Sequence, residues 1–198
     1  MSTFGQASDS KPHPAYVGSE SCIDCHKGAA EAWKTSHHAW AWKKPDRTSV
    51  LGNFEDAELE HKGITSKFFT RDGRYFVSTD GPDGKITEFE VHSTVGVTPL
   101  QQYLVELKGG RLQALDLSWD TEAKRWYHLY PDQDLKAGDG MHWSGPYKSW
   151  NARCAECHAT NYDKNYDPQS RDRILLQQIH ASNIHYRADQ QLYSDKQE

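Results

Sequence analysis

All four cysteines of this 198-residue chain fall in two copies of one pattern. The first is Cys22-Ile23-Asp24-Cys25-His26 and the second is Cys154-Ala155-Glu156-Cys157-His158. C-x-x-C-H is the spacing of covalent haem attachment. Two thiols three positions apart on a helical turn meet the two vinyl groups along one haem edge. The imidazole that follows then reaches the iron from below as its proximal ligand. The pattern therefore predicts two covalently attached c-type haems, held by Cys22, Cys25, Cys154 and Cys157, with His26 and His158 as proximal ligands. Three other readings compete. The cysteines could form a Cys₄ zinc site with accidental histidines, a redox dithiol, which would need a βαβ context absent here, or disulfides, for which i to i+3 bridges are geometrically poor. A His placed identically after both pairs, with no other Cys in the chain, favours haem over each.

The sixth position of each iron is the next question, because it separates high-potential carriers, low-potential carriers and reactive sites. Methionine is nearly excluded by counting: the chain has two, Met1 at its start and Met141, against eleven histidines. Bis-His ligation is thus the expectation for most of the iron, and low potential follows. Beyond His26 and His158 the histidines are His13, His37, His38, His61, His92, His128, His142, His180 and His185. His38 stands twelve residues after His26, which on a continuing helix is a separation of about 18 Å. It would then serve the other haem, or a partner's, unless the helix breaks. His142 precedes His158 with Gly145-Pro146 between, so a turn could bring it to either haem. His128 sits on an expected strand among rings, in Trp126-Tyr127-His128-Leu129-Tyr130. For each the competing reading is a histidine with an ordinary hydrogen bond. Trp33, Trp40, Trp42, Trp143 and Trp150 cluster beside the motifs and are expected to pack the haem faces.

The elements that must position these groups differ along the chain. From Cys22 to Trp42 good helix formers such as Gly28-Ala29-Ala30-Glu31-Ala32-Trp33 predict a helix that Pro45 ends. From about residue 51 to 131 short β-type runs alternate with turn signals. Ile64–Thr70, Arg71-Asp72-Gly73 and Arg74–Thr79 read as a hairpin. Asp80-Gly81-Pro82-Asp83-Gly84 leads into Ile86–His92. Gln102–Leu107, a Lys108-Gly109-Gly110 turn, Leu112–Trp119 and Arg125–Tyr130 follow. The fold class is therefore α+β: two C-x-x-C-H haem helices flanking an antiparallel β-meander of five to seven strands, otherwise loop-rich. Asp132 to Trp150 reads as irregular, Asn161–Tyr166 as loop, and Arg171–His180 as a short amphipathic helix. The division expected is a flexible leader over 1–17, a dihaem domain over 18–166 with its β-rich middle, and a tail over 167–198.

Composition narrows the class further. The hydrophobic share is 36%, and seven Trp with ten Tyr point to a core built from large rings. The formal charge is −5 with basic residues scattered among acidic ones, which argues against nucleic-acid binding. No apolar run approaches the length of a membrane span, and no signal-peptide stretch opens the sequence.

Some of these residues also resemble a family. Tyr16-Val17-Gly18-Ser19-Glu20-Ser21-Cys22, followed by Ala32-Trp33-Lys34-Thr35-Ser36-His37-His38-Ala39, is similar to multihaem c-type cytochromes related to the tetrahaem cytochrome of ammonia oxidisers and to tetratricopeptide-containing multihaem cytochromes. Leu100-Gln101-Gln102-Tyr103-Leu104, Trp126 to Pro131 and Met141-His142-Trp143 share the likeness, which covers roughly Tyr16 to Tyr166. In that family a His after Trp and Ser is a distal ligand, and the pattern falls on His38 more naturally than on His37. The distal candidates are then His38, His142, His37 and His128, in that order. The likeness departs after Asp167-Pro168, where relatives continue into a further C-x-x-C-H and this chain runs Arg171-Asp172-Arg173-Ile174-Leu175. That departure implies an iron left five-coordinate or water-ligated.

The leading expectation is an electron carrier or relay, not an enzyme, working in the periplasm or outside the cell with a transient redox partner protein. Oligomers that stack haems are compatible with it. The alternatives are a haem enzyme or small-ligand site at one open iron, and a haem-based sensor or docking module.

Overall fold

The computed structural model describes residues 20–159. The expected leader, the loop over 161–166 and the helix over 171–180 lie outside them. Seven strands follow one another in a single antiparallel meander: β1 (Ala57–His61), β2 (Ile64–Arg71), β3 (Arg74–Asp80), β4 (Ile86–Val95), β5 (Leu100–Leu107), β6 (Arg111–Asp120) and β7 (Arg125–His128). Two-residue turns set the register of the first three. At Asp72-Gly73 both residues take positive φ, 51° and 73°, the backbone that matches strand twist in a tight hairpin. Arg71 and Arg74 accordingly face each other as the last pair of β2 and β3.

The sheet curls until its two edges approach, with His61 of β1 and His128 of β7 stacked at 3.8 Å. The concave face holds a ring-rich core. Phe68 lies flat on Trp126 at 3.5 Å and 7°, and Phe54 meets Tyr75, Tyr103 and Trp126 edge-on at 5.2–5.4 Å. Val77, Val91, Val105, Leu115, Leu117 and Trp119 complete it. Side chains alternate along β5: Tyr103 and Val105 belong to this inner core, whereas Leu104 between them belongs to a second cluster. Alternation across a pleated strand therefore assigns the second cluster to the outer face.

One close approach fixes the entry to the sheet. A Cβ at Gly52 would stand 2.5 Å from Tyr103 Oη and 2.8 Å from Trp126 Cζ2, while the Gly52 amide donates to Tyr103 Oη at 2.9 Å. Both neighbours are buried rings that cannot swing away. Gly52→Ala is expected to lower the urea midpoint, by an overpacking cost of about 1–3 kcal/mol.

The helices differ from the expectation. Residues 22–42 do not form one helix but α1 (Glu20–Ile23), α2 (Lys27–Lys34) and a 3₁₀ turn over His37–Trp40. Thr35 caps α2, and Ser36, extended at ψ 157°, starts the next turn with its hydroxyl accepting from the Ala39 amide. Serine competes for backbone hydrogen bonds in just this way. Near the other motif lie α3 (Trp150–Arg153) and α4 (Ala155–His158). Of the helical pieces, α2 through Trp33, α3 through Trp150 and α4 through Ala155 contribute to the outer-face cluster, so the expected flanking of the meander is met only in part.

Candidate haem-attachment site

Both motifs wrap the backbone alike. The His26 amide donates to the Cys22 carbonyl at 3.0 Å, and the His158 amide donates to the Cys154 carbonyl at 3.1 Å. Each pattern thus closes a single helical turn from first cysteine to histidine, which brings the thiols at i and i+3 and the imidazole at i+4 to one side. All four cysteines are free thiols. Cys22, Cys25 and Cys157 are exposed and Cys154 is half-buried. Burial, and then the neighbouring Cys157, push the Cys154 thiol up from its ordinary range.

Side chains that follow the first turn and side chains of the second, far apart in sequence, pack in one cluster. Trp33 of α2 and Trp42 pack with Trp150, Cys154, Ala155 and Ala159 against Leu104, Leu112, Val95 and Ala114 of β4–β6. Their seating is specific. β3 leaves the edge of β4 unpaired beyond Glu90, and Lys43 takes that edge through two backbone hydrogen bonds to Thr94, of 3.0 and 2.9 Å. This sets Trp42 beside β4. On the other side Asn151 of α3 accepts from the Leu112 amide at 2.7 Å and donates to the Gly110 carbonyl at 3.2 Å. Ser149 bridges Gln113 where β7 does not reach.

The residues present fit a haem. Trp42 is 1% exposed, yet its indole N–H has no acceptor among the described residues. An unmet buried donor carries a desolvation cost, and a haem propionate is an acceptor of the right kind. When bound, the haem supplies a one-electron iron couple. What the chain itself supplies is a matched pair of thiol turns, an apolar wall and this donor.

The histidines singled out for the distal positions are placed very differently. His37 and His38 are exposed on the 3₁₀ turn after the helix break. The break removes the straight-helix geometry that would hold His38 far from His26. His142 is buried with both ring nitrogens engaged, Nδ1 with Ser144 Oγ at 2.8 Å and Nε2 with Asp80 Oδ2 at 2.9 Å. Burial pushes the Asp80 carboxyl up, but the hydrogen bond and charge of His142 outweigh it, and the carboxyl ends below its usual range. His128 lies against His61 at the closing edge of the sheet, its Nδ1 accepting from the Tyr130 amide at 3.1 Å. Burial, and then His61, bring its pKa down to about 4. His61, His128 and His142 line one cavity of about 330 Å³ at the end of the curled sheet, together with Asp80 and Asp116. The structure therefore seats the second C-x-x-C-H turn on the outer face of the sheet, leaves the first exposed, and sets His128 and His142 in a separate pocket.

Sequence reasoning passed over His92. It sits at a bulge in β4, half-buried, with its ring 6.2 Å from that of Trp42. Burial, and then Lys44, lower its pKa to about 4. The only signal in the sequence was a His next to a Ser in an otherwise alternating strand.

Among the described residues no helix is long and apolar enough to cross a membrane. Comparison with known proteins bears on the first motif. No curated protein matches the chain. A solved structure titled "Crystal Structure of Outer Cell Wall Cytochrome OcwA" aligns with a TM-score of 0.45 and 18% identity, covering 89% of this chain and 33% of that one. The chain thus spans about a third of that protein's length. Residues 21–67 match the family described as "Cytochrome c554 and c-prime", and Cys22, Cys25 and His26 lie within the matched segment.

Proposed function

We propose that this chain is a dihaem c-type cytochrome that carries or relays electrons. The observation that supports the reading best is the matching closure of both C-x-x-C-H turns by a histidine amide on the first cysteine's carbonyl. Cys22 and Cys25 hold one haem and Cys154 and Cys157 the other, with His26 and His158 as proximal ligands. Trp33 and Trp42, which follow the first motif, pack in one cluster with Trp150 and Cys154 of the second segment, an arrangement compatible with a relay. His38 is the leading ligand for the open face of one iron. It is exposed, follows a break that frees it to turn, and has a neighbour, His37, of the same type. His142 would have to give up Asp80 and Ser144 to reach iron, and His128 its place on His61. Bis-His iron has a low potential, which suits a periplasmic or extracellular carrier meeting a redox partner through a small, transient interface.

The test is a pyridine haemochrome assay with electron paramagnetic resonance of the oxidised protein, matured in an export host competent for haem attachment. Two haems per chain, both low-spin, are expected. No covalent haem in such material would sink the reading, and one high-spin iron would turn it toward small-molecule chemistry.

A further inference from the structure

The bulge in β4 aims a histidine at the outer-face cluster. Val91 pairs with Val105, but Ser93 pairs with Leu104, so His92 is an extra residue in β4. Val91 and Val105 are inner-core residues, and Leu104 belongs to the outer cluster. Directly opposed residues share a face, so Ser93 lies outward with Leu104. His92, next after inward Val91, lies outward as well. The bulge thus sets two consecutive side chains on one face, which regular alternation forbids. Its result is a hydrogen-bonding contact of 3.1 Å between His92 Nδ1 and Ser93 Oγ.

That contact orients the ring and leaves Nε2 without a hydrogen-bond partner among the described residues. A metal-ligating histidine characteristically has its other ring nitrogen fixed in this way. The ring stands beside Trp42, whose buried N–H also lacks a partner, and Trp42 packs in the cluster that contains Cys154. An imidazole nitrogen with no protein partner among the described residues and a buried indole N–H with no acceptor among them thus lie on rings 6.2 Å apart, the indole packed in the cluster that holds Cys154. A haem answers both, through its iron and its propionate.

We propose that His92 is the distal ligand of the haem attached at Cys154 and Cys157, oriented by Ser93, with Trp42 donating to a propionate of that haem. This rests on the dihaem reading, and the experiment separates the two. Haem content and ferric spin state are measured on the full chain and on His92→Ala and His92→Met. Haem per chain is expected to stay at the wild-type value while one low-spin signal of His92→Ala is lost to a high-spin one. Added imidazole is expected to restore it. His92→Met, which keeps the apolar volume, is expected to show the long-wavelength band of thioether-ligated ferric haem and a raised potential. A low-spin spectrum unchanged in both variants at full haem load would overturn the proposal. In a chain whose Cys154 and Cys157 are both serine, His92→Ala should leave the remaining haem's spectrum unaltered, and a change there would overturn the assignment to the second motif. Absence of covalent haem from the wild-type chain would instead defeat the dihaem reading itself.

Discussion

Replacing Cys154 and Cys157 together with serine is expected to halve the covalent haem of the chain, read as haem per polypeptide in the pyridine haemochrome assay and as a mass lower by one haem. The two turns make separate thioether pairs, and the first does not depend on the second for its backbone closure: the His26 amide bonds to Cys22 within its own turn. Cys22 and Cys25 should therefore still be loaded. The converse change at Cys22 and Cys25 should leave the second haem in place. The two variants should differ in stability. Cys154 packs with Trp150 and Ala155 on the sheet, whereas Cys22 and Cys25 are exposed. Loss of the second haem uncovers an apolar wall and leaves the Trp42 donor unmet, so the Cys154/Cys157 variant should melt at lower temperature than the Cys22/Cys25 variant. Equal loss of both haems from either variant would show that the sites load as one unit.

How far the sequence reveals this arrangement depends on the range of the interactions involved. The Asp72-Gly73 hairpin was legible because its turn is decided by two adjacent residues whose backbone must take positive φ. The two C-x-x-C-H motifs are legible because their spacing is fixed and local. β1 was not, since Ala57-Glu58-Leu59-Glu60-His61 is made largely of helix formers and becomes a strand only by pairing with Ile64–Phe68. The predicted long helix after Cys22 failed for a local reason that propensity sums conceal: Ser36 diverts its hydroxyl to the Ala39 amide. Most of the site geometry is non-local. Nothing near Trp42 in sequence reveals that Lys43 will take the free edge of β4 at Thr94. Nothing near His92 reveals a bulge that depends on how β4 meets β5. Distance along the chain therefore does not single out His92, which the sheet brings beside Trp42.

The same logic identifies a point where charge, not packing, holds the second motif's approach in place. Lys148 ends the 3₁₀ turn over Pro146–Lys148, two residues before α3, and its ammonium lies 2.9 Å from Asp116 Oδ1, the two side chains 10% and 7% exposed. It also sits 3.7 Å over the Tyr130 ring. Burial pushes the Asp116 carboxyl up, and the hydrogen bond and charge of Lys148 only partly offset this, so the carboxyl stays above its usual range. Lys148→Met removes the offset and leaves a buried, unpaired carboxylate, a change that typically costs about 3–5 kcal/mol. The sign with pH follows from linkage. A carboxyl whose folded pKa lies above its unfolded value binds its proton more tightly when folded, so its penalty is full at neutral pH and is relieved as pH falls through that raised pKa. The variant's deficit in urea midpoint should therefore be largest near neutrality and shrink toward acid. A deficit independent of pH would mean that lost packing on Tyr130, and not the stranded charge, is the cause. The double change Lys148→Met with Asp116→Leu should recover most of the loss, because replacing both partners by apolar groups leaves no charge to bury. If it does, the ion pair serves to fix where the chain turns toward Trp150 and Cys154, and the second C-x-x-C-H motif takes its position from a charge pair that stability alone does not need.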